Sequence, residues 1–271
     1  ESSPVESDVP VGRMPASYVL GPGDEIVASF FGNTDRSLTT AVDRTGHVVL
    51  PNLPPVMAAG REFGEFRAHL DNLVAQTLLG TEVFVAVSRM RRIQVTVLGE
   101  AERPGVYEVT ALADVFDVLA RAGGVARTGS LRRITVGGPA GRREIDLYGL
   151  MGGDSDVDLA LRDGDRIRVP LIGPTVAVNG DVVRPAIYEI RTDQSLSVKK
   201  ALDLSGSTIR ARGNALMRNR IDGSGRQVFE DVDMAGLLEK SDILTVRPRR
   251  DLKVGMVMLD GHVRQGGERP L

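Results

Sequence analysis

An α+β chain built from small units in series is predicted by three observations. Residues 95–107 read VTVLGEAERPGVY and residues 176–188 read VAVNGDVVRPAIY, so Gly99 and Gly180, Pro104 and Pro185, and Tyr107 and Tyr188 all stand 81 positions apart (180 − 99). A further step of 81 reaches Gly261 in VMLDGHVRQGG, where the phrase starts a third time. Within each unit the apolar pattern switches between strand alternation and helical spacing. The length of 271 residues allows two or three modest cores, and the period is too long for one repeat of the common helical or leucine-rich solenoids.

Residues 1–17, ESSPVESDVPVGRMPAS, are polar and proline-rich without periodicity and predict a tether or irregular arm. From Tyr18, YVLGPGDEIVASFFG sets the turn Gly21-Pro22-Gly23-Asp24 between two short apolar runs. LTTAVDRTGHVVLP adds a second turn at Thr45-Gly46 between strand-like segments. Between Arg61 and Leu79, Phe63, Phe66, Leu70, Val74 and Leu78 fall at helical spacing, and Gly80 stands where a C-terminal stop belongs. TEVFVAVSR then alternates as a strand, closing a β, β, helix, β unit over 18–92.

The first repeat, 93–172, opens with the strand IQVTVLG and the Arg103-Pro104-Gly105 turn, where glycine can take the positive φ of a type II turn. LADVFDVLARAGG puts Leu112, Val115, Leu119 and Ala122 on one helical face ending at Gly123-Gly124. LRRITV, REIDL and LRDGDRIRVP supply the returning strands. The second repeat, 173–250, keeps this order, with Ala186 in place of the glycine after proline, which predicts a different turn or strain there. Residues 251–271 hold a linker and the start of a third copy. A strand hairpin, one crossing helix and returning strands make a compact sheet-on-helix unit, a β-grasp-like module, here in tandem.

Composition narrows the function classes. Lys plus Arg number 34 against 36 Asp plus Glu, a net charge of −2, so no global field favours nucleic acid or an anionic membrane. The chain contains no cysteine, which excludes disulfides and thiolate chemistry, and no tryptophan, which disfavours tight sugar stacking. No apolar run reaches the roughly 20 residues of a membrane helix. His47, His69 and His262 share no metal-ligand spacing. GPGD precedes a strand and AGG at 122–124 ends a helix, so neither is a phosphate loop. Asp163 with Asp165, and Asp154 with Asp156 and Asp158, read as turn chemistry, since neighbours in a turn do not flank a glycosidic bond. DSDVDLALRDGD lacks the glycine and glutamate of a calcium loop. No cofactor, no metal and no catalytic residue is expected.

YVLGPGDEIVASFFG, DRTGHVVLPNL, the helix and TEVFVAVSR resemble the N-terminal domain of outer-membrane polysaccharide export proteins. The two V-x-V-x-G-x-x-x-R-P-x-x-Y units followed by a glycine-ended helix resemble the soluble-ligand-binding (SLBB) β-grasp domains of that family. The likeness runs over about 18–250 and departs at NLPPV, where the family carries a glycine after the strand. It implies a non-enzymatic periplasmic subunit associated with the outer membrane, a homo-oligomeric ring that conducts capsular polysaccharide or exopolysaccharide, and an inner-membrane polysaccharide copolymerase as partner. It also implies weak, transient contact with the polymer. The family's lipidated cysteine and C-terminal pore helix have no counterpart here, so the chain is expected to be a truncated or processed piece, reaching the outer membrane through segments it does not carry. An alternative is a periplasmic β-grasp binding module for a small soluble ligand or a protein partner.

The residues singled out as structural turns of these motifs are Gly21, Pro22, Gly23, Asp24, Gly99, Pro104, Gly105, Tyr107, Gly180, Pro185 and Tyr188, the tyrosines as strand-packing residues. Arg89, Arg91 and Arg92, Arg132 and Arg133, Arg142 and Arg143, and Arg247, Arg249 and Arg250 form basic clusters near strand ends or loops. Solvated ends, contacts with an acidic polysaccharide through guanidinium forks, and ion pairs between ring neighbours all remain open for them.

Overall fold

Ile26, Ala28 and Phe30 alternate with Glu25, Val27 and Ser29, and a pleated strand sends alternate side chains to opposite faces. The computed structural model describes residues 14–33, 35–152, 157–191, 195–249, 256–259, 261–262 and 267–270. It places these six residues in β1 (Glu25–Gly32), with Ile26, Ala28 and Phe30 buried. β2 (Arg36–Ala41) pairs antiparallel with one edge of β1. β3 (His47–Val48) and β4 (Val56–Met57) pair with each other, so the segments flanking the Thr45-Gly46 turn join different ladders. Helix α1 (Phe63–Thr77) buries Phe63, Phe66, Leu70 and Val74. β5 (Thr81–Arg89) pairs with the other edge of β1. One core joins these helix residues to Ile26, Phe30, Leu50 and Val85, and each fully buried large side chain contributes about 1.5–3 kcal/mol. Met14 packs against this core, and Gly64 donates its N–H to the Ala16 carbonyl at 2.8 Å. The packed fold thus reaches back into 14–17; the rest of the expected arm, 1–13, lies outside the described residues.

The first repeat contributes β6 (Arg92–Gly99), β7 (Gly105–Thr110), helix α2 (Val115–Arg121), β8 (Ile134–Gly138), β9 (Gly141–Ile145), helix α3 (Leu147–Gly152) and β10 (Arg166–Val169). The sheet runs β7-β6-β10-β8-β9, parallel only between β6 and β10. Asp114 caps α2 by accepting the Asp117 N–H at 3.0 Å, and Asp117 returns the bond to the Asp114 N–H. This cap starts the helix at Val115, so Leu112, expected on its apolar face, lies exposed in the turn before it.

The second repeat contributes β11 (Thr175–Gly180), β12 (Ala186–Glu189), β13 (Leu196–Ser197), helix α4 (Val198–Leu204), β14 (Asn214–Ile221), β15 (Gln227–Asp231), β16 (Leu237–Leu238) and β17 (Ile243–Pro248). Its main sheet runs β12-β11-β17-β14-β15, the same order with the same single parallel pair, β11 with β17. β18 (Met256–Leu259) and β19 (Gly267–Pro270) form a third hairpin. Its register continues the series: Val97 pairs with Gly105, Val178 with Ala186, and Leu259 with Gly267. The described chain forms two compact units. One holds the residues up to Gly129 with Arg133–Pro170, and the other holds Ser130–Arg132 with the residues from Leu171 onward. No helix among the described residues is long and apolar enough to cross a membrane.

Two turns share a D-x-[ST]-G design. Asp43 accepts N–H groups from Thr45 (2.8 Å) and His47 (2.9 Å), and Asp222 accepts them from Ser224 (2.9 Å) and Arg226 (2.9 Å). Gly46 and Gly225 follow with φ of 87° and 84°. The Ser224 hydroxyl bond and the Arg226 N–H draw the Asp222 carboxyl down to about 2 from an ordinary 3.8. A depressed carboxylate stabilises the fold above its ordinary value and loses that contribution as pH falls through its folded value. The β14–β15 turn is therefore expected to loosen between about pH 4 and pH 2. Carbon NMR titration should find Asp222 raised toward the ordinary range in Ser224→Ala, with the Arg226 and backbone bonds still holding it below, and an unchanged value would contradict the assignment.

Candidate functional site

Gly23-Asp24, Gly164-Asp165 and Ser241-Asp242 are three copies of one turn. The first residue of each has positive φ (96°, 80° and 69°). The aspartate accepts the N–H three positions earlier, from Gly21 at 2.8 Å, Arg162 at 2.9 Å and Glu239 at 2.9 Å. All three aspartates are buried, each at the entry to a sheet strand: β1, β10 and β17. Sequence reading took the first as a motif turn and the second as turn chemistry but missed the third, where Ser241 replaces glycine, and it did not join them because the turns do not keep the period of 81. Asp163, weighed beside Asp165 as an acidic pair, accepts the Gln94 N–H at 2.8 Å and so ties the turn to β6, while Asp165 closes the turn itself. Asp158 accepts the Ala160 N–H at 3.0 Å, and Asp154 and Asp156 lie outside the described residues.

Asp24 is the best-partnered of the three. Its carboxylate accepts the Tyr18 hydroxyl (2.7 Å), the Arg91 backbone N–H (2.7 Å) and the Arg91 guanidinium (2.7 Å) besides Gly21. The guanidinium also lies 5.8 Å from the Tyr18 ring centre. Burial, reinforced by the hydrogen bond to Asp24, pushes the Tyr18 phenol well above its ordinary range. Arg91, considered as a surface contact, is instead a structural ion-pair residue, because its guanidinium is committed to Asp24 and Tyr18. Sequence could not show this, since the partners lie 67 and 73 positions away.

The R-P-x-x-Y phrase has a mechanical reading. The Tyr107 and Tyr188 hydroxyls donate to the Arg103 and Arg184 carbonyls, closing the turn across proline. The Arg103 guanidinium donates to the Arg121 carbonyl at 3.0 Å and that of Arg184 to the Leu204 carbonyl at 3.3 Å, so each hairpin is tied to the last turn of its helix. Backbone bonds from Arg103 to the Ala122 carbonyl (2.9 Å) and from Arg184 to the Ser205 carbonyl (2.8 Å) repeat the tie. The tyrosines thus clamp turns as well as packing strands.

The turn differs from the type II expectation. Gly105 is absent from the positive-φ residues and opens β7, as Ala186 opens β12, so alanine carries no strain at this position. A Cβ on Gly105 would come no closer than 4.0 Å to the Tyr107 ring. Gly105→Ala is accordingly expected to change stability by less than about 0.5 kcal/mol in urea unfolding; a loss above about 2 kcal/mol would restore the type II turn. The positive φ belongs to Gly99 and Gly180, at 84° and 85°.

The other candidate arginines each have a local setting within their own unit. Arg89 is exposed and paired with Glu25, Arg92 lies 3.7 Å from Glu108, and Arg247 and Arg249 are exposed at the end of β17. Arg250 lies outside the described residues. The position of Glu108 recurs as Glu189, with a different role: Glu189 is buried and accepts Ser130 Oγ–H (2.7 Å), Leu131 N–H (2.9 Å) and Gly173 N–H (2.8 Å). Among the described residues no three His, Asp or Glu side chains form a group that could hold a metal ion. The broad surfaces left are the solvent faces of the two five-stranded sheets, with Val106 at 66% and Ile187 at 67% exposure on their edge strands.

Comparison with known proteins bears on these features. The polysaccharide biosynthesis/export protein family matches residues 13–88, the stretch holding the Asp24 turn, α1 and β5. The SLBB domain matches residues 94–143, the stretch holding the Tyr107 clamp and α2. Two curated relatives, both polysialic acid transport protein KpsD from Escherichia coli, are each 29% identical over 264 residues, covering 94% of this chain and 46% of theirs. The chain thus spans about half the length of the curated relatives it matches. An export domain over residues 13–88 is thus followed directly by an SLBB domain over residues 94–143, and the second hairpin-and-helix unit repeats the bonds of the first.

Proposed function

We propose that the chain is a periplasmic part of an outer-membrane polysaccharide export assembly, forming wall rather than catalyst. The observation that carries this reading is the matched order of export domain and SLBB domain, continued by a second unit of identical strand order and the opening hairpin of a third. In this reading the working domains are 18–92, 93–172 and 173–250, the latter two being β-grasp modules. Copies of the chain assemble as a ring, and an inner-membrane copolymerase delivers polymer to it. The relatives are named for transport of an acidic polysaccharide, which supports a transport role and no hydrolase, lyase or transferase activity. A conduit must hold polymer weakly enough to release it, and broad faces with few aromatic side chains suit that need.

The reading is tested by contact during export. A photoreactive amino acid placed at Thr96, on the solvent face of β6, is expected to trap nascent polymer in exporting cells, and to trap none when polymer synthesis is switched off. Normal export with no adduct from this position would count against a wall that the polymer touches.

A further inference from the structure

The two five-stranded sheets share strand order and register, yet their solvent faces differ in chemistry. Followed across the ladder, one row of the first sheet reads Val106, Thr96, Arg166, Gly137, Arg142. The matching row of the second sheet reads Ile187, Ala177, Ile243, Asn219, Phe229. In the next row Arg168 lies beside Thr135 and Thr135 beside Glu144, where the second sheet has Thr245, Met217 and Asp231, so both sheets carry one carboxylate there and only the first carries the arginine. Three cations in the first sheet therefore become Phe229, Ile243 and Thr245 in the second. The backbone does not require them, since the second sheet forms without them.

Arg142, Arg166 and Arg168 are exposed. Among the described residues none has an ion-pair or hydrogen-bond partner, unlike Arg143 next in sequence, which points to the other face and bonds the Asp158 carbonyl at 2.8 Å. Arg142 and Arg166 flank Gly137, where an added Cβ would meet nothing within 4 Å, so the strand between them is a shallow open floor. Two inter-strand spacings separate the pair, roughly 9–10 Å, and Arg166 and Arg168 are roughly 6.5 Å apart along β10.

We propose that this face binds an anionic saccharide polymer, its carboxylates held by Arg142, Arg166 and Arg168 over Gly137 and Thr135, and that the corresponding face of the second repeat does not. The proposal rests on the export reading and names the substrate class that one repeat contacts. Guanidinium forks match carboxylates in two-point geometry. Charges spread over rows and strands suit a polymer charged at successive sugars better than one small anion. Neither row of the first sheet carries an aromatic side chain, so nothing on it would stack nucleic acid bases, and the net charge of −2 gives no general attraction for nucleic acid. Exposed, screened contacts of this kind are individually weak, as passage requires.

The test uses the 271-residue chain and fluorescent oligogalacturonate, read by anisotropy at low and high salt. Binding is expected to be salt-sensitive and absent for dextran of matched length. The R142Q/R166Q/R168Q variant should bind about tenfold more weakly or worse, at roughly two- to fivefold per exposed contact. R142K/R166K/R168K, which keeps the charge but loses the two-point geometry, should fall between wild type and the glutamine variant, and F229R/I243R/T245R should add a second site, a gain that no folding defect can mimic. Equal binding by wild type and the glutamine variant, equal binding of dextran, or tighter binding of a single-stranded oligonucleotide than of oligogalacturonate would overturn the proposal. Such results would leave the export reading standing, because that reading is tested by the polymer's fate in cells.

Discussion

Alanine at Asp24 is expected to destabilise the N-terminal β/α domain by roughly 3–5 kcal/mol, the range for breaking a buried ion pair from one side. The carboxylate is fully buried, and its loss strands four donors: the Tyr18 hydroxyl, the Gly21 and Arg91 N–H groups and the Arg91 guanidinium. The Arg91 side chain is only 26% exposed, so water restores little of what it loses. Arg91→Ala should cost less, because Asp24 keeps three donors. Asp24→Ala with Arg91→Ala should cost less than the sum of the two, as expected for residues in one network. Urea unfolding followed by circular dichroism measures all three, and a loss below about 1 kcal/mol for Asp24→Ala would show that the cluster is not the anchor of this domain.

A methyl group at Gly99 or Gly180 is the second severe change. An ideal Cβ at Gly99 would lie 2.1 Å from the Val169 carbonyl oxygen, and at Gly180 2.0 Å from that of Val246, both rigid backbone atoms of the adjacent parallel strand. The left-handed conformation adds roughly 1–2 kcal/mol for any L side chain, and overpacking adds roughly 1–3 kcal/mol. Gly99→Ala and Gly180→Ala are therefore each expected to lose about 3 kcal/mol or more, by opening the parallel pair that closes the sheet. Gly60→Ala separates the two causes. Gly60 has φ of 80° but nothing within 4 Å of an added Cβ, so it should show the conformational cost alone. If all three variants lost the same amount, the close approach to Val169 and Val246 would carry no energy.

These sites mark how far the sequence could be read. The helical spacing of Phe63, Phe66, Leu70 and Val74 was legible because local periodicity decides which face a helix buries. The repeat of Gly99, Arg103 and Tyr107 was legible because one hairpin needs one set of residues at one spacing. The reason for that set was not, since Arg103 acts on the end of a helix 18 residues away and Gly99 is required by a strand 70 positions on (169 − 99). Arg91 looked like an exposed strand end because Asp24 and Tyr18 belong to the other end of the same domain. Glu108 and Glu189 were indistinguishable in sequence, and only packing around Ser130–Arg132 buries the second. The contrast between the two sheet faces lay in the chain throughout, at Arg142, Arg166 and Arg168 against Phe229, Ile243 and Thr245. It became readable only once the register aligned residues on five strands.

The location of polymer in cells lacking the intact gene tests the export reading most directly. Cell-surface and periplasmic polysaccharide are quantified separately, and chain length and linkage are determined for both. The account predicts that surface polymer is lost while polymer of normal length and linkage collects inside the outer membrane, and that the wild-type gene restores the surface pool. Undiminished surface polymer, or retained polymer of altered length or linkage, would contradict a role in export and point to synthesis or modification instead.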